Sequence, residues 1–102
     1  MITRLWRGWT ARENADAYER FLLDELFPSL RGIAGFLGAE VLRRDEDGEV
    51  AFVVLTRFES LDAVRAFAGD DYETPVIEPE AQALLAHWEP RAVHFETSAF
   101  TP

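Results

Sequence analysis

His94, set between Val93 and Phe95, is the best-placed general acid or base in the chain. A neutral imidazole in an apolar stretch can accept a proton near neutral pH. His87, just before Trp88, is expected at the end of a helix. Neither histidine has a second one four residues away or a carboxylate set at ligand spacing, so no metal site is expected. A purely structural hydrogen bond is the plain alternative for each. Arg4, Arg7 and Arg57 stand among residues that read as buried strand. Each either pairs with a glutamate such as Glu59, Glu89 or Glu96, or turns its fork into a cleft to hold a phenolate, enolate or carboxylate oxygen. All ten basic residues are arginine, so any anion is met by a rigid, permanently charged fork.

The aromatic residues supply possible walls. Trp6 and Trp9 have opposite parity on a first strand and face opposite sides of a sheet. Trp88, Phe58 and Tyr72 add to the supply, either as ordinary core or as the lining of a site for a flat apolar molecule. The expected catalytic pair is His94 with Arg7, and the expected binding set is Trp6, Trp9, Arg4, Phe58, Tyr72 and Trp88.

Those side chains need a scaffold. A chain of 102 residues, 48% of them hydrophobic, forms one domain over residues 1–102. A first strand is expected over residues 2–10, and Thr10-Ala11-Arg12-Glu13 has capping-box spacing for a helix running to about residue 27. Tyr18, Phe21, Leu22 and Leu26 share one face of that helix, and Pro28 marks its end or a kink. A second strand over residues 36–44 turns at Asp47-Gly48 into a third over residues 49–58. Ser60 caps a short helix to about residue 68, with Leu61, Val64, Phe67 and Ala68 on its buried side and Gly69 as its stop. Residues 70–78 form an acidic connection, residues 80–87 a further helix, and residues 88–99 a last strand with Pro90 near its start. The order β-α-β-β-α-(α)-β predicts an α+β, ferredoxin-like split β-α-β: a four-stranded antiparallel sheet with helices on one face.

One element does not fit a monomer. Val50-Ala51-Phe52-Val53-Val54-Leu55 is apolar at successive positions, so both faces of the third strand are greasy, and helices cover only one. Ala51, Val53 and Leu55 are expected on the bare face. Either residues 72–77 or the Ala99-Phe100 end cover it, or a second copy packs sheet against sheet as a homodimer. The net charge of −9 argues against nucleic acid or anionic membrane as partner. No stretch approaches a membrane span and no signal sequence is evident, so a cytoplasmic location is expected. There are no cysteines for disulfides, thiolate chemistry or iron–sulfur clusters. No phosphate loop or nucleotide fingerprint occurs, so no cofactor is expected.

The strand Met1-Ile2-Thr3-Arg4-Leu5-Trp6-Arg7-Gly8 resembles the antibiotic biosynthesis monooxygenase domain. So do Gly35-Phe36-Leu37-Gly38 and Leu55-Thr56-Arg57-Phe58-Glu59-Ser60-Leu61. The resemblance implies a dimeric α+β barrel, and either of two activities. Some members oxygenate aromatic, polyketide-like phenols without metal or flavin, the substrate's own anion reducing dioxygen. Others degrade haem, using a histidine after the second helix, a strand-one asparagine and a tryptophan near the end of strand three. Here residues 70–78 hold no histidine, strand one holds no asparagine, and Phe58 stands at the tryptophan's place. The resemblance therefore implies a cofactor-independent monooxygenase acting on a small aromatic molecule, or a non-catalytic or stress-associated small-molecule-binding barrel, ahead of haem degradation.

Overall fold

The computed structural model describes residues 1–102. The apolar run lies in β3 (Glu49–Phe58), an interior strand between β1 (Ile2–Ala11) and β2 (Phe36–Glu46). β2 and β3 form a hairpin whose turn places Asp47 at φ 50° and Gly48 at φ 84°, the left-handed geometry that Asp-Gly tolerates best. The sheet order is β2-β3-β1-β4, with β5 (Val93–Glu96) paired beside β4 (Leu85–Trp88) along the same edge of β1. Every pairing is antiparallel. This is the split β-α-β layout that the element order predicts, with one change in its last strand.

That strand is broken. The preceding helix, α4 (Pro79–Leu84), stops earlier than expected, so His87 belongs to β4 and not to a helix end. The chain then leaves the sheet through residues 89–92 and returns as β5. Four residues lie between the paired Trp88 and Val93 but only two between their partners Gly8 and Leu5, so the chain bulges from the edge of β1 before pairing resumes.

The strand register decides which side chains meet. Arg4 lies opposite Thr56, Trp6 opposite Val54, Gly8 opposite Phe52 and Thr10 opposite Val50. Cross-strand partners share a face, so even-numbered residues of β1 and β3 face the helices. There they meet α1 (Ala15–Phe21), a π-helical turn (Leu22–Leu26) and α2 (Phe27–Ser29). Tyr18, Phe21, Leu22, Phe27 and Leu30 pack on Val50, Phe52 and Val54 with Ala81 and Leu85 in one core.

The helical segment runs on through Pro28 to Ser29. Proline removes an i→i−4 bond and crowds the preceding turn. The wider turn just before it, closed by Phe27 N–H on Leu22 O, shifts the bonding pattern to i→i−5 where that mismatch falls. The expected capping box does not form. Thr10 stays in β1, and a 3-10 turn (Arg12–Asn14) leads into α1. The Thr10 hydroxyl is sealed in the core without a hydrogen-bond partner. Thr10→Val should therefore raise stability by about 1 kcal/mol, since it removes an unsatisfied polar atom at nearly constant shape. Chemical denaturation checks this, and a variant less stable than wild type contradicts it.

Ser60 does cap α3 (Leu61–Ala68): its Oγ accepts the Ala63 N–H at 3.3 Å. Gly69, at φ 84°, ends the helix. Ala63 and Val64 are buried, but Leu61 is not; it borders a groove at the sheet edge. Gly35, at φ 88°, brings strand β2 so close to α3 that a Cβ there would stand 2.8 Å from Ala63 Cβ.

The other sheet face carries Leu5, Arg7 and Trp9 of β1 with Val53, Leu55 and Arg57 of β3, Leu42 of β2, and Val93 and Phe95 of β5. No helix or strap lies over most of it, but Ala51, expected to be bare, is only 3% exposed beside Trp9 and the His87 stacked on it. Residues 75–78 lie on the helix side, lining the cleft described next, and Phe100 projects into solvent. Leu42, Val93 and Phe95 are each about half exposed, at 50%, 48% and 51%. No helix is long and apolar enough to cross a membrane.

Candidate functional site

A cleft opens between the helix-facing side of the sheet and the helices. Trp6 and Val54 of the sheet, Phe21, Leu22 and Leu26 of the helical layer, Phe67 of α3, and Pro75, Val76 and Ile77 of the connecting strap form its apolar walls. The hollow measures about 530 Å³ in all, most of it toward solvent, and its sheltered interior is about 40 Å³. That interior has room for a few waters but is too small for an aromatic ring.

The cleft's one buried charge is Arg4, which is only 5% exposed. β1 brings it there because Arg4 shares the parity of Trp6 and lies opposite Thr56. Its guanidinium forms no ion pair. Instead Nη1 donates to the carbonyl of Tyr72 and to His94 Nε2 at 3.0 Å, and Nη2 donates to the carbonyl of Thr74 at 3.3 Å. The group lies over the Phe67 ring, 5.5 Å from its centroid. Nη1 thus uses both of its N–H bonds and Nη2 one. The Nε–H and one Nη2–H remain without a partner in the chain. Burial without a counter-ion pulls the Arg4 pKa down to about 10, still charged at neutral pH.

His94 stands behind Arg4. An arginine has only donors to offer, so His94 Nε2 accepts, and its proton is assigned to Nδ1. Its ring meets Tyr72 edge-on at 5.0 Å. Both border the groove at the sheet edge, not the cleft, and Arg4 links the two. The His94 pKa lies below the ordinary imidazole value. Burial is the main cause and the Arg4 charge the second, with Glu73 pulling weakly the other way. The groups facing it are Arg4 of β1 and Tyr72 and Glu73 of the strap.

A depressed folded pKa means that the unfolded chain takes up this proton first as pH falls. The contribution is complete above the unfolded value of about 6.5. It is lost as pH drops from there toward the folded pKa. His94→Gln, which keeps an acceptor, should flatten that stretch of the curve. Thermal unfolding between about pH 7.5 and pH 5.5 reads it; parallel curves for the two proteins would refute it.

The remaining expected site residues are dispersed. Trp6 forms a cleft wall, but its indole N–H already donates to Glu89 O at 2.9 Å. Arg7 and Trp9 lie on the opposite sheet face, because their parity is odd. Arg7 sits 5.3 Å over the Trp9 ring, and its Nε is buried without a partner. Trp9 stacks on His87 at 4.6 Å and donates to Glu46 Oε1 at 3.2 Å, and His87 Nε2 meets Glu49 Oε1 at 2.8 Å. Phe58 is wholly buried among Phe36, Phe67 and Val64, behind the cleft. Trp88 is 38% exposed and does not border it. Arg57 pairs with Glu40 and with none of the expected glutamates. So the structure gathers Arg4, Trp6, Tyr72 and His94 and leaves Arg7, Trp9, Phe58 and Trp88 apart from them.

Three polar residues of the cleft lining escaped the sequence reading: Tyr18 of α1, Thr56 of β3 and the exposed Glu78 at its rim. The available signal was polarity on apolar faces: Tyr18 stands among Phe21, Leu22 and Leu26, and Thr56 continues the Phe52 and Val54 row.

The comparisons with known proteins agree with this architecture. No curated protein matches the chain in sequence. A Deinococcus radiodurans protein assigned as an antibiotic biosynthesis monooxygenase superposes with a TM-score of 0.65 at 16% identity, covering 100% of this chain and 97% of that one. The haem degrader MhuD of Mycobacterium tuberculosis superposes at 0.60 and 20% identity over 100% of both chains. A Bacillus cereus protein with the same assignment as the first superposes at 0.55 and 17% identity, over 99% and 94%. At these identities the likeness shows the shared fold. The family described as antibiotic biosynthesis monooxygenase matches residues 1–72, from β1 through the strap residue whose carbonyl Arg4 holds, and on that match the chain belongs to the antibiotic biosynthesis monooxygenase family.

Proposed function

We propose that this protein is a cofactor-independent monooxygenase for a small, flat, acidic aromatic or polyketide-like molecule, working as a homodimer joined through its bare sheet face. The observation that carries the reading is Arg4: a charged guanidinium, buried on the wall of an apolar cleft, with no carboxylate beside it and two N–H bonds to spare. Burying an unpaired charge is costly. A ligand bringing a phenolate or enolate oxygen supplies the missing counter-ion.

Once ionised, such a substrate can pass an electron to dioxygen. Recombination forms a C–O bond, and loss of water leaves a ketone: a ring methylene plus O₂ gives a ring carbonyl plus H₂O. The protein's part is to favour the anion, through Arg4, and to shield the reaction from water. The base assigned is His94, whose Nε2 Arg4 Nη1 holds at 3.0 Å; it becomes available when Arg4 releases it on binding the substrate oxygen. Because the sheltered space is smaller than a ring, substrate binding must move the strap of residues 75–78 outward.

Oxygen uptake with an anthrone- or hydroquinone-type substrate tests the proposal. Uptake above the buffer rate that drops in Arg4→Met and His94→Ala supports it, and uptake equal to buffer sinks it. One observation favours a second reading, a barrel that binds without catalysis: His94 Nε2 is engaged by Arg4 and does not border the cleft. Ligand binding without oxygen consumption would select that reading. Haem degradation, the activity printed for the M. tuberculosis neighbour, has less support. Phe58 at the tryptophan's place is fully buried, and no histidine occurs in residues 70–78.

A further inference from the structure

We infer that Arg4 and His94 form a proton-sensitive latch on the strap of residues 72–78: neutral His94 holds Arg4 against the strap, and protonated His94 releases it and opens the cleft. The latch belongs to the ligand-free chain and does not depend on which molecule the cleft takes.

The strap is tied down at few points. Its Glu73 carbonyl accepts the Ala92 N–H at 2.7 Å, and the Glu73 carboxylate pairs with Arg91 at 2.8 Å. Thr74 bonds back only to nearby Asp71. Toward the cleft, Arg4 holds the carbonyls of Tyr72 and Thr74. The next tie is Gln82 Nε2 on the Ile77 carbonyl at 3.1 Å, beyond the cleft-lining Pro75 and Val76. Arg4 is therefore the pin that fixes the strap to the sheet at the cleft.

The pin depends on His94. Nη1 divides its N–H bonds between the Tyr72 carbonyl and His94 Nε2, the latter at 3.0 Å. An imidazolium has two donors and no acceptor. Protonation thus removes a bond and sets two cations against each other in half-buried surroundings. The groups around the imidazole are Arg4 of β1, Tyr72 and Glu73 of the strap, Arg91 of the bulged segment, and Glu96 on its own strand. Glu73 favours the proton, but Arg91 shares that carboxylate. Relief comes when the guanidinium swings off the imidazole, which withdraws it from the strap carbonyls. Burial and the Arg4 charge hold the latched His94 pKa below its ordinary value, and opening raises it toward that value. The open strap therefore takes up the proton first as pH falls below about 6.5, and the open population grows by at most about tenfold per pH unit.

The chain has no cysteine, so Val76→Cys adds one thiol for a bimane dye, whose emission a nearby tryptophan quenches. Val76 is 38% exposed and lines the cleft with Trp6, and Trp6→Phe gives the unquenched level. In the labelled full chain, emission should rise between about pH 7.5 and pH 5, with a midpoint below the ordinary histidine value. His94→Gln, which keeps an acceptor but takes up no proton, should stay quenched throughout. Arg4→Met, with no latch, should be bright at every pH. Glu25 and Glu80 face each other where α4 follows the strap, and Glu80 holds the Glu25 pKa above its ordinary value. Glu25→Gln should leave the rise in place. The inference is overturned if wild-type emission is flat, if His94→Gln rises alike, if Arg4→Met stays quenched, or if Glu25→Gln abolishes the rise. A rise that coincides with loss of the far-ultraviolet circular dichroism overturns it too, since unfolding and not the latch would then move the dye.

Discussion

Replacing Arg4 by methionine should leave the protein folded and remove the affinity for acidic ligands proposed for the cleft. The two effects part because Arg4 is poorly placed for stability. Its guanidinium is buried, lacks a carboxylate, and is held by the carbonyls of Tyr72 and Thr74 and by His94. Methionine keeps the aliphatic length beside Phe67 and removes a desolvated charge, a change that is often neutral or stabilising. The abandoned carbonyls belong to a largely exposed strap, where water can replace the lost bonds. Unfolding free energy should stay within about 1–2 kcal/mol of wild type. Binding of an acidic phenol should fall by roughly a hundredfold, the scale for losing a charge-assisted two-point contact in a dry site. Any oxygenase turnover should fall at least as far. Arg4→Lys should not rescue it, because a lysine lacks the fork. Denaturation curves with titration calorimetry read both effects, and equal losses in the two would contradict the separation.

Leu55→Glu is expected to convert the protein from twice the chain mass to a single chain in sedimentation equilibrium at micromolar concentration. Leu55 lies opposite Leu5 on the uncovered face, next to Val53, with Val93 across β1. Nothing in the chain lies over these residues, and so broad an apolar patch is rare on a monomer. A two-fold sheet-to-sheet dimer would bury it and bring each Leu55 near its symmetry mate's patch. Glutamate there puts charge into that contact from both protomers, at a cost of several kcal/mol, or at least a thousandfold in Kd. The helix-facing core, on the other parity, is untouched, so the lone chain should keep its fold. A wild-type protein that sediments as one chain would remove the argument.

Local signals explain what was legible in the sequence. Asp47-Gly48 names its turn through two residues, Ser60 caps through a bond three residues away, and β3 declares itself by its composition. The uncovered apolar face follows from β3 alone. The break in the last strand is not legible because no local signal announces the two extra residues that residues 89–92 set against Trp6 and Arg7. Thr10 looked like a cap because spacing cannot tell whether a threonine is still paired in a sheet. Within the site, the sequence alone favours Arg7 as the partner of His94, but the register with β3 puts Arg7 on the far face and Arg4 in the cleft. His94 was picked out by its apolar neighbours, but its attachment to Arg4 joins residues ninety apart in sequence. Tyr18 hid in plain sight, since a tyrosine on a helix's apolar face reads as core until the cleft beside it is seen.

The measurement that bears most directly on the Arg4 cation is the pKa of a chromophoric phenol bound in the cleft, followed by absorbance as pH is varied. An unpaired guanidinium stabilises the phenolate, so the bound pKa should lie below that of the free phenol, and affinity should rise as pH climbs through the free value. The depression should vanish in Arg4→Met. A bound pKa above the free value in the wild-type protein would mean that the apolar walls outweigh the charge and that the cleft takes its guest as a neutral molecule.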